Sequence, residues 1–299
     1  MKSILKDFCK ELNIDCVGIT DIGPYEELEK IISKRETFGY VTGMEEKDVE
    51  KRINPRATME DCNSVIVCLF PYYIGEYENG NLSKYTRSFD YHIVVKEKLQ
   101  SICEYLEGKI QDFKFKSFVD SGPLVERYIA QRAGLGFWGV NGNLINEKYG
   151  SYFFIGYIMT NYSFEIDEPN EGSCFKCMKC VENCPGKVLF GDFNLNPALC
   201  KSYLTQKKGE LQSNEIDIIT KNNMIFGCDI CQDVCPHNKN ICITPINEFK
   251  EKILSSLTYE ELKEISNKEF KRKYIDRAFS WRGKGIIERN INYISENNK

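Results

Sequence analysis

Residues 174–185 read Cys174-x2-Cys177-x2-Cys180-x3-Cys184-Pro185, and the rest of the chain is best understood outward from them. A second group, Cys228-x2-Cys231-x3-Cys235-Pro236, follows, with Cys200 standing between the two. The first run has the bacterial ferredoxin spacing, in which three thiolates hold one 4Fe–4S cubane and the fourth, before proline, reaches to the other. Each cubane needs four soft thiolates, so two need eight, and eight of the fourteen cysteines occupy these positions. The usual crossing would assign Cys174, Cys177, Cys180 and Cys235 to one cluster and Cys184, Cys200, Cys228 and Cys231 to the other. Proline after the last cysteine ends the short ligand-bearing helix and turns the chain away.

Zinc and disulfides are the competing uses of such cysteines. Zinc closes with four ligands and rarely takes three cysteines at i, i+3, i+6 with a Cys-Pro end. A disulfide framework suits short secreted chains, whereas this one has 299 residues and no apolar signal segment at Met1–Asn13. The remaining cysteines (Cys9, Cys16, Cys62, Cys68, Cys103, Cys242) are scattered and read as reduced, buried and inert. Hydrophobic content of 42% and charged content of 28% are ordinary for a globular chain. No apolar stretch approaches the roughly 20 residues of a membrane helix, the longest being the strand-length Tyr152–Thr160. These features point to a cytoplasmic protein with reduced thiols. A net charge of −4 argues against wholesale nonspecific nucleic-acid binding. One basic stretch, Lys268 to Arg289, nevertheless stands out, and from charge alone it reads as a solvated helical face.

The expected fold class is α/β, in three parts: an α/β domain over 1–165, a ferredoxin-like double-cluster domain over 166–245, and a short helical segment over 246–299. In the first part, Ser3–Leu12, Tyr91–Glu107 and Leu124–Ala133 read as helices. Cys16–Thr20, Ser64–Phe70, Phe115–Val119, Leu144–Asn146 and Ser151–Thr160 read as strands. Ser64–Phe70 is apolar throughout, which marks a strand buried on both faces. In the cluster domain, helices are expected at Pro197–Gln206 and Asn214–Asn222. Thiolate–metal bonds would supply part of its folding energy. Gly134-Leu135-Gly136-Phe137-Trp138-Gly139 matches the dinucleotide fingerprint, but it follows a helix and leads into strands, so a tight turn or close backbone approach is expected instead.

Several further motifs carry a resemblance. Lys51-Arg52-Ile53-Asn54-Pro55, Asp90-Tyr91-His92, Val119-Asp120-Ser121-Gly122-Pro123, Cys200-Lys201-Ser202-Tyr203-Leu204-Thr205-Gln206, Gly227-Cys228-Asp229 and Trp281-Arg282-Gly283-Lys284 occur in order with the eight cysteines. Together they resemble the epoxyqueuosine reductases, cobalamin-dependent iron–sulfur enzymes of queuosine biosynthesis, over nearly the whole chain. The resemblance implies two 4Fe–4S clusters and a cobalamin held between the α/β and cluster domains. Electrons from a low-potential donor would pass through both cubanes to cobalt, and the epoxide on a tRNA anticodon loop would open and lose water.

Asp120 matches the family's proton donor, and desolvation beside the corrin would raise its pKa. Arg52, Ser83, Leu144, Ile155, Ser202, Cys228 and Asp229, with Asp120, match cobalamin contacts. Gln206, Lys207 and Lys208 match tRNA contacts. His92 sits in a motif similar to the cobalt-ligating one of some mutases but without its glycine, so a packed or hydrogen-bonded histidine is expected. The chain reads as a short, monomeric form lacking the C-terminal helical repeats, for which weaker, salt-sensitive tRNA binding is expected. The alternatives are a reductive dehalogenase-like or other cobalamin reductase of a small molecule, and an electron-transfer ferredoxin module without its own substrate.

Overall fold

Ser64–Pro71 is buried at every residue and forms the spine of the α/β part. The computed structural model describes residues 1–75 and 78–297. In chain order the first part contains α1 (Lys2–Glu11), β1 (Val17–Thr20), α2 (Glu26–Thr37), α3 (Val49–Ile53), β2 (Ser64–Pro71) and α4 (Tyr91–Glu107). It continues with β3 (Phe115–Val119), α5 (Glu126–Arg132), β4 (Phe137–Trp138), β5 (Leu144–Ile145) and β6 (Phe153–Thr160).

The main sheet has the order β1-β2-β6-β3. All its pairings are antiparallel, with Ser64 opposite Thr160 and Pro71 opposite Phe153. Alternate residues of β2 point to opposite faces, as strand geometry requires. Ile66, Cys68 and Phe70 pack on α1 and α4, while Val65, Val67 and Leu69 pack on α2 and α5. Helices on both faces explain why the strand is apolar throughout despite lying in an antiparallel sheet. At Gly18 the sheet touches the end of α5 so closely that a Cβ would stand 2.0 Å from the Ala133 carbonyl oxygen.

β4 and β5 form a separate hairpin, so Leu144 pairs with Trp138 rather than joining the main sheet. Gly134 ends α5 with φ +76, and a Cβ on Gly136 would meet the Ile145 carbonyl at 2.4 Å. This is the close-approach role expected of those glycines.

The cluster part carries α6 (Lys179–Asn183), α7 (Lys201–Leu204), α8 (Ser213–Ile219) and α9 (Ile230–Asp233). The single helix expected over Pro197–Gln206 is divided. A 3-10 turn at Pro197–Leu199 is followed by Cys200 in an extended conformation, and only then does α7 begin. That break turns the cysteine out of the helix and toward the other ligands. The chain ends in α10 (Tyr259–Lys263), α11 (Asn267–Lys273) and α12 (Lys284–Asn297). These share one core with Leu204, Ile218 and Phe226, so the last segment is packed onto the cluster part. Of the scattered cysteines, Cys9, Cys62, Cys68 and Cys103 are buried and Cys16 partly so, but Cys242 is exposed, contrary to the expectation of burial. Among the described residues, no helix is long and apolar enough to cross a membrane.

Candidate functional site

The two cysteine groups interleave in space. A hollow of about 320 Å³, which includes space open to solvent, is lined by Cys174, Cys177 and Cys180 from the first group and Cys235 from the second. Lys176 and Met178 are left-handed (φ 52° and 60°), which curls the chain around the hollow before α6 starts. The Lys176 N–H approaches Cys174 Sγ at 3.5 Å. Phe175 N–H donates to His237 Nε2 at 3.3 Å and the two rings stack at 3.9 Å, tying the groups together.

The other four cysteines lie deeper. Cys184 packs with Val188 and Leu189, and Cys180, Cys200 and Cys231 border the same small apolar cluster. Burial pushes the Cys231 thiol well above its ordinary value, and Cys200, Cys228, Cys184 and Cys180 push it further. Burial likewise drives Cys228 up to about 12, with Cys200 and Asp229 adding to it. Such thiols become ligands only when a metal displaces the proton, as iron does outright. One quartet of soft sulfur lines the hollow and the other four cysteines are neighbours in the buried region beside it, a set of eight that fits two cubanes. Cys180 in one quartet neighbours Cys231 in the other, so the clusters would be adjacent.

Tyr85 lies where the inner quartet and the α/β part come together, within reach of Cys200, Ser202, Asp229 and Asp120. Burial raises the Tyr85 phenol, and so do the charges of Asp120, Asp229 and Cys200, while a hydrogen bond with the Ser202 side chain opposes them. The strand ends are zipped together here. Ser83 N–H donates to the Phe226 carbonyl at 3.1 Å, and Lys84 N–H to Asp229 Oδ2 at 2.8 Å. A Cβ on Gly227 would stand 2.0 Å from Ser83 Oγ, so only glycine permits this approach.

Ser83 Oγ and Asp229 Oδ1 are buried without a hydrogen-bond partner among the described residues. Orphaned buried polar atoms are costly, and a polar guest at this seam would satisfy both. Burial raises the Asp229 carboxyl to about 6 against the opposing pull of Lys84. Leu144 and Ile155 belong to the apolar cluster on the α2 and α5 face of the sheet, whereas Tyr85 packs on the other face. Burial, and then the charge of Arg52, lowers Arg35, and burial, and then the charge of Arg35, lowers Arg127. The seam itself offers two unsatisfied buried polar atoms beside the inner sulfur quartet, which fits a cobalamin.

Asp120 follows β3 in a left-handed conformation, φ 58°, with 58% of its side chain open to the cleft. Its backbone N–H donates to Glu126 Oε1 at 2.6 Å, so the first residue of α5 latches the loop. His92 Nε2 lies 3.2 Å from Asp120 Oδ2, and His92 Nδ1 lies 2.7 Å from Asp90 Oδ1. The upward shift expected of Asp120 rests on a corrin beside it; the protein's own side chains act in the other direction. Burial raises it, but the hydrogen bond and charge of His92 and a hydrogen bond from Tyr91 outweigh burial and hold it below 3.8. The displaced groups are its neighbours. His92 rises to about 9: burial opposes this, and the bonds and charges of Asp120 and Asp90 prevail. Burial, then the charge of Asp120, lifts Glu126 to about 8. His92 is thus hydrogen-bonded, as expected; Glu126 lies in the Val119–Arg127 motif that carries Asp120, while Tyr85 entered the site without a sequence signal of its own.

The basic stretch is not one solvated face. Arg277 donates to the Arg87 and Lys252 carbonyls, Lys284 to those of Leu262 and Ile265, and Arg289 to those of Leu204, Lys207 and Gly209. Lys207 pairs with Glu215 at 2.5 Å, Gln206 is bonded to Trp281, and Lys208 is exposed.

Comparison with known proteins agrees with this geometry. A family model for a 4Fe-4S double cluster binding domain matches residues 173–238. Another, described as "Epoxyqueuosine reductase QueG, DUF1730", matches residues 52–121. Epoxyqueuosine reductase of Lactococcus garvieae is 37% identical, covering 99% of this chain and 88% of the relative. That of Cyclobacterium marinum is 33% identical over 97% of this chain and 96% of its own. A solved epoxyqueuosine reductase with an epoxyqueuosine-modified tRNA-Tyr stem loop superposes with TM-score 0.90 at 33% identity, covering 98% of this chain and 80% of that one. A catabolic reductive dehalogenase, at 14% identity and TM-score 0.51 over 98% of this chain and 35% of that one, shares the fold alone. Two sulfur quartets opening on a seam beside one carboxyl, in a chain so similar to these relatives end to end, make it a member of the epoxyqueuosine reductase family.

Proposed function

We propose that this chain reduces the epoxide of epoxyqueuosine in a tRNA anticodon loop to the alkene of queuosine. The observation that carries the reading is the Tyr85 corner, where the inner sulfur quartet, the unsatisfied polar seam and the Asp120 carboxyl meet. Cobalamin, when bound, supplies a low-potential metal centre able to open the ring, and the protein supplies position, protons and a dry site. Ser83, Asp229, Ser202, Leu144 and Ile155, with the backbone near Cys228, would hold it, and Arg52 would meet its polar periphery. Two electrons and two protons convert epoxide to alkene and water.

The proton source is the His92–Asp120 pair. Asp120 is ionised at neutral pH and His92 carries the proton, so the proton for the developing alkoxide comes from His92 Nε2, which the Asp120 carboxylate 3.2 Å away keeps charged and in place. Asp90 holds the other ring nitrogen. The three-part division at 165 and 245, a monomeric enzyme, a cytoplasmic site of action and a low-potential donor belong to the same reading. A tRNA substrate and thiols that must stay reduced support them.

The test is anaerobic turnover of an epoxyqueuosine-containing stem loop with a chemical reductant, the product being lighter by one oxygen atom. An intact epoxide after reconstitution with clusters and cobalamin rejects the reading. The pH profile of kcat/KM carries a second expectation. His92 is raised, so its proton and its contribution to holding the pair are fully present below its ordinary 6.5 and are lost as pH rises through about 9. Asp120 is lowered, so its charge is lost only below 3.8. Activity should therefore hold across neutral pH and fall on the alkaline side near 9. A profile flat through that range excludes His92 as the reservoir.

A further inference from the structure

We propose that Trp281 is a stacking platform for one unpaired nucleobase of the RNA substrate, a role that rests on the tRNA reading above. Trp281 ends a short 3-10 turn, Ala278–Arg282, with 52% of its surface exposed. Large aromatic side chains are among the most valuable to bury, so an exposed indole needs a reason. It is also fixed in place. Nε1–H donates to Gln206 Oε1 at 3.1 Å, and the Arg282 guanidinium carbon lies 3.7 Å from the ring centroid. Arg282 Nε is buried without a hydrogen-bond partner among the described residues, and the guanidinium's close contact is with the indole.

The support beneath this platform is rigid. Gln206 Nε2 donates to the Ser202 carbonyl at 2.9 Å and approaches the Tyr85 hydroxyl at 3.5 Å. Arg289 and Asn290 hold the turn carrying Gln206 through the carbonyls of Leu204, Thr205 and Lys207. The indole is thus linked through Gln206 to the corner that faces Asp120.

A flat π-surface with a cation stacked on it, at the lip of a cleft, suits a base already out of its helix. Paired bases are stacked on their neighbours and cannot reach it, whereas loop bases can be splayed onto aromatic and guanidinium planes. The other cations of this region do not compete for that role. Arg277, Lys284 and Arg289 point inward to carbonyls, and Lys268, Lys271, Arg272 and Lys273 are exposed on and around α11, so Arg282 is the cation stacked on the indole itself.

The test uses the full chain with both clusters reconstituted, a fluorescein-labelled RNA anticodon stem loop, and the same stem closed as a blunt duplex. Wild type should prefer the loop. Trp281→Ala should weaken loop binding roughly ten- to one-hundred-fold, the range for one base–aromatic stack. Duplex binding, iron content and the slope of log K against log salt should be unchanged, because no phosphate contact is removed. Trp281→Phe should restore most of the affinity and Trp281→Leu should not, which separates a π-surface from apolar filling. Equal loop affinity for Trp281→Ala and wild type, or equal rescue by leucine, overturns the platform alone. Failure of the wild type to prefer the loop over the duplex overturns the tRNA reading itself.

Discussion

Replacing Asp120 with asparagine is expected to cut turnover by about two to four orders of magnitude, the usual contribution of a positioned acid–base pair, because the charge that keeps His92 protonated is lost. Asparagine keeps the shape of the loop, and the Glu126 latch acts on the backbone N–H, so the side chain stays at the cleft. The charge is what disappears. Without it His92 loses the partner that lifts it to about 9, and the proton it stored leaves at a lower pH. Whatever activity survives should decline at a less alkaline pH than in wild type, a readout that a purely structural defect would not produce. Iron content should be that of the wild type, since Asp120 touches neither sulfur quartet, and cobalamin uptake should persist because asparagine keeps the shape of Asp120 and the other expected contacts remain. Turnover within a few-fold of wild type would remove Asp120 from the reaction.

The second large effect concerns the partition of the sulfur ligands. Cys231→Ser should remove one cluster, dropping iron from about eight to about four atoms per chain, because a hard hydroxyl is a poor substitute for thiolate in a cubane. It should also abolish turnover by cutting the route to the cleft. The sharper expectation is pairwise. Cys235→Ser and Cys174→Ser, though 61 positions apart in the chain, should leave the same cluster behind and give the same residual EPR spectrum. Cys231→Ser and Cys184→Ser should leave the other. Cys242→Ser, an exposed cysteine in neither quartet, serves as the control and should retain all iron. If Cys235→Ser leaves the same spectrum as Cys231→Ser, the crossing is wrong. Metal–thiolate bonds contribute to folding here, so circular dichroism of each variant distinguishes cluster loss from loss of the domain.

Much of this was legible because ligand chemistry constrains sequence locally. A cubane demands soft sulfur at fixed short spacings, so the cysteine runs announced themselves, and the matched double-cluster model covers them. Strand β2 was equally visible, since a strand covered on both faces has no room for polar residues. Helix α2, by contrast, went unnoticed. Its buried residues are only Leu28 and Ile32, and Glu and Lys occupy most of the rest. A helix that presents so narrow an apolar stripe leaves little periodicity to read. The antiparallel character of the sheet was also hidden, because hydrophobic patterning reports burial and not strand direction.

Protonation was the part least legible in the sequence, and the reason is distance in the chain. Asp120 in a turn beside an apolar cofactor suggests a carboxyl raised by desolvation. His92, twenty-eight positions away on α4, reverses that sign, and no local pattern reports the contact. The fate of the basic stretch is the same lesson. Charge counts see Arg277, Lys284 and Arg289, but only packing reveals that they cap carbonyls inside the protein.

By itself, then, the sequence determined which atoms could bind metal and which segments had to be buried, since covalent spacing and hydrophobic periodicity are properties of neighbouring residues. The tertiary structure alone decided which carboxyl carries charge, which histidine stores the proton and which tryptophan stays in the open. Those outcomes depend on through-space electrostatics and exclusion of water between residues that the chain order keeps far apart.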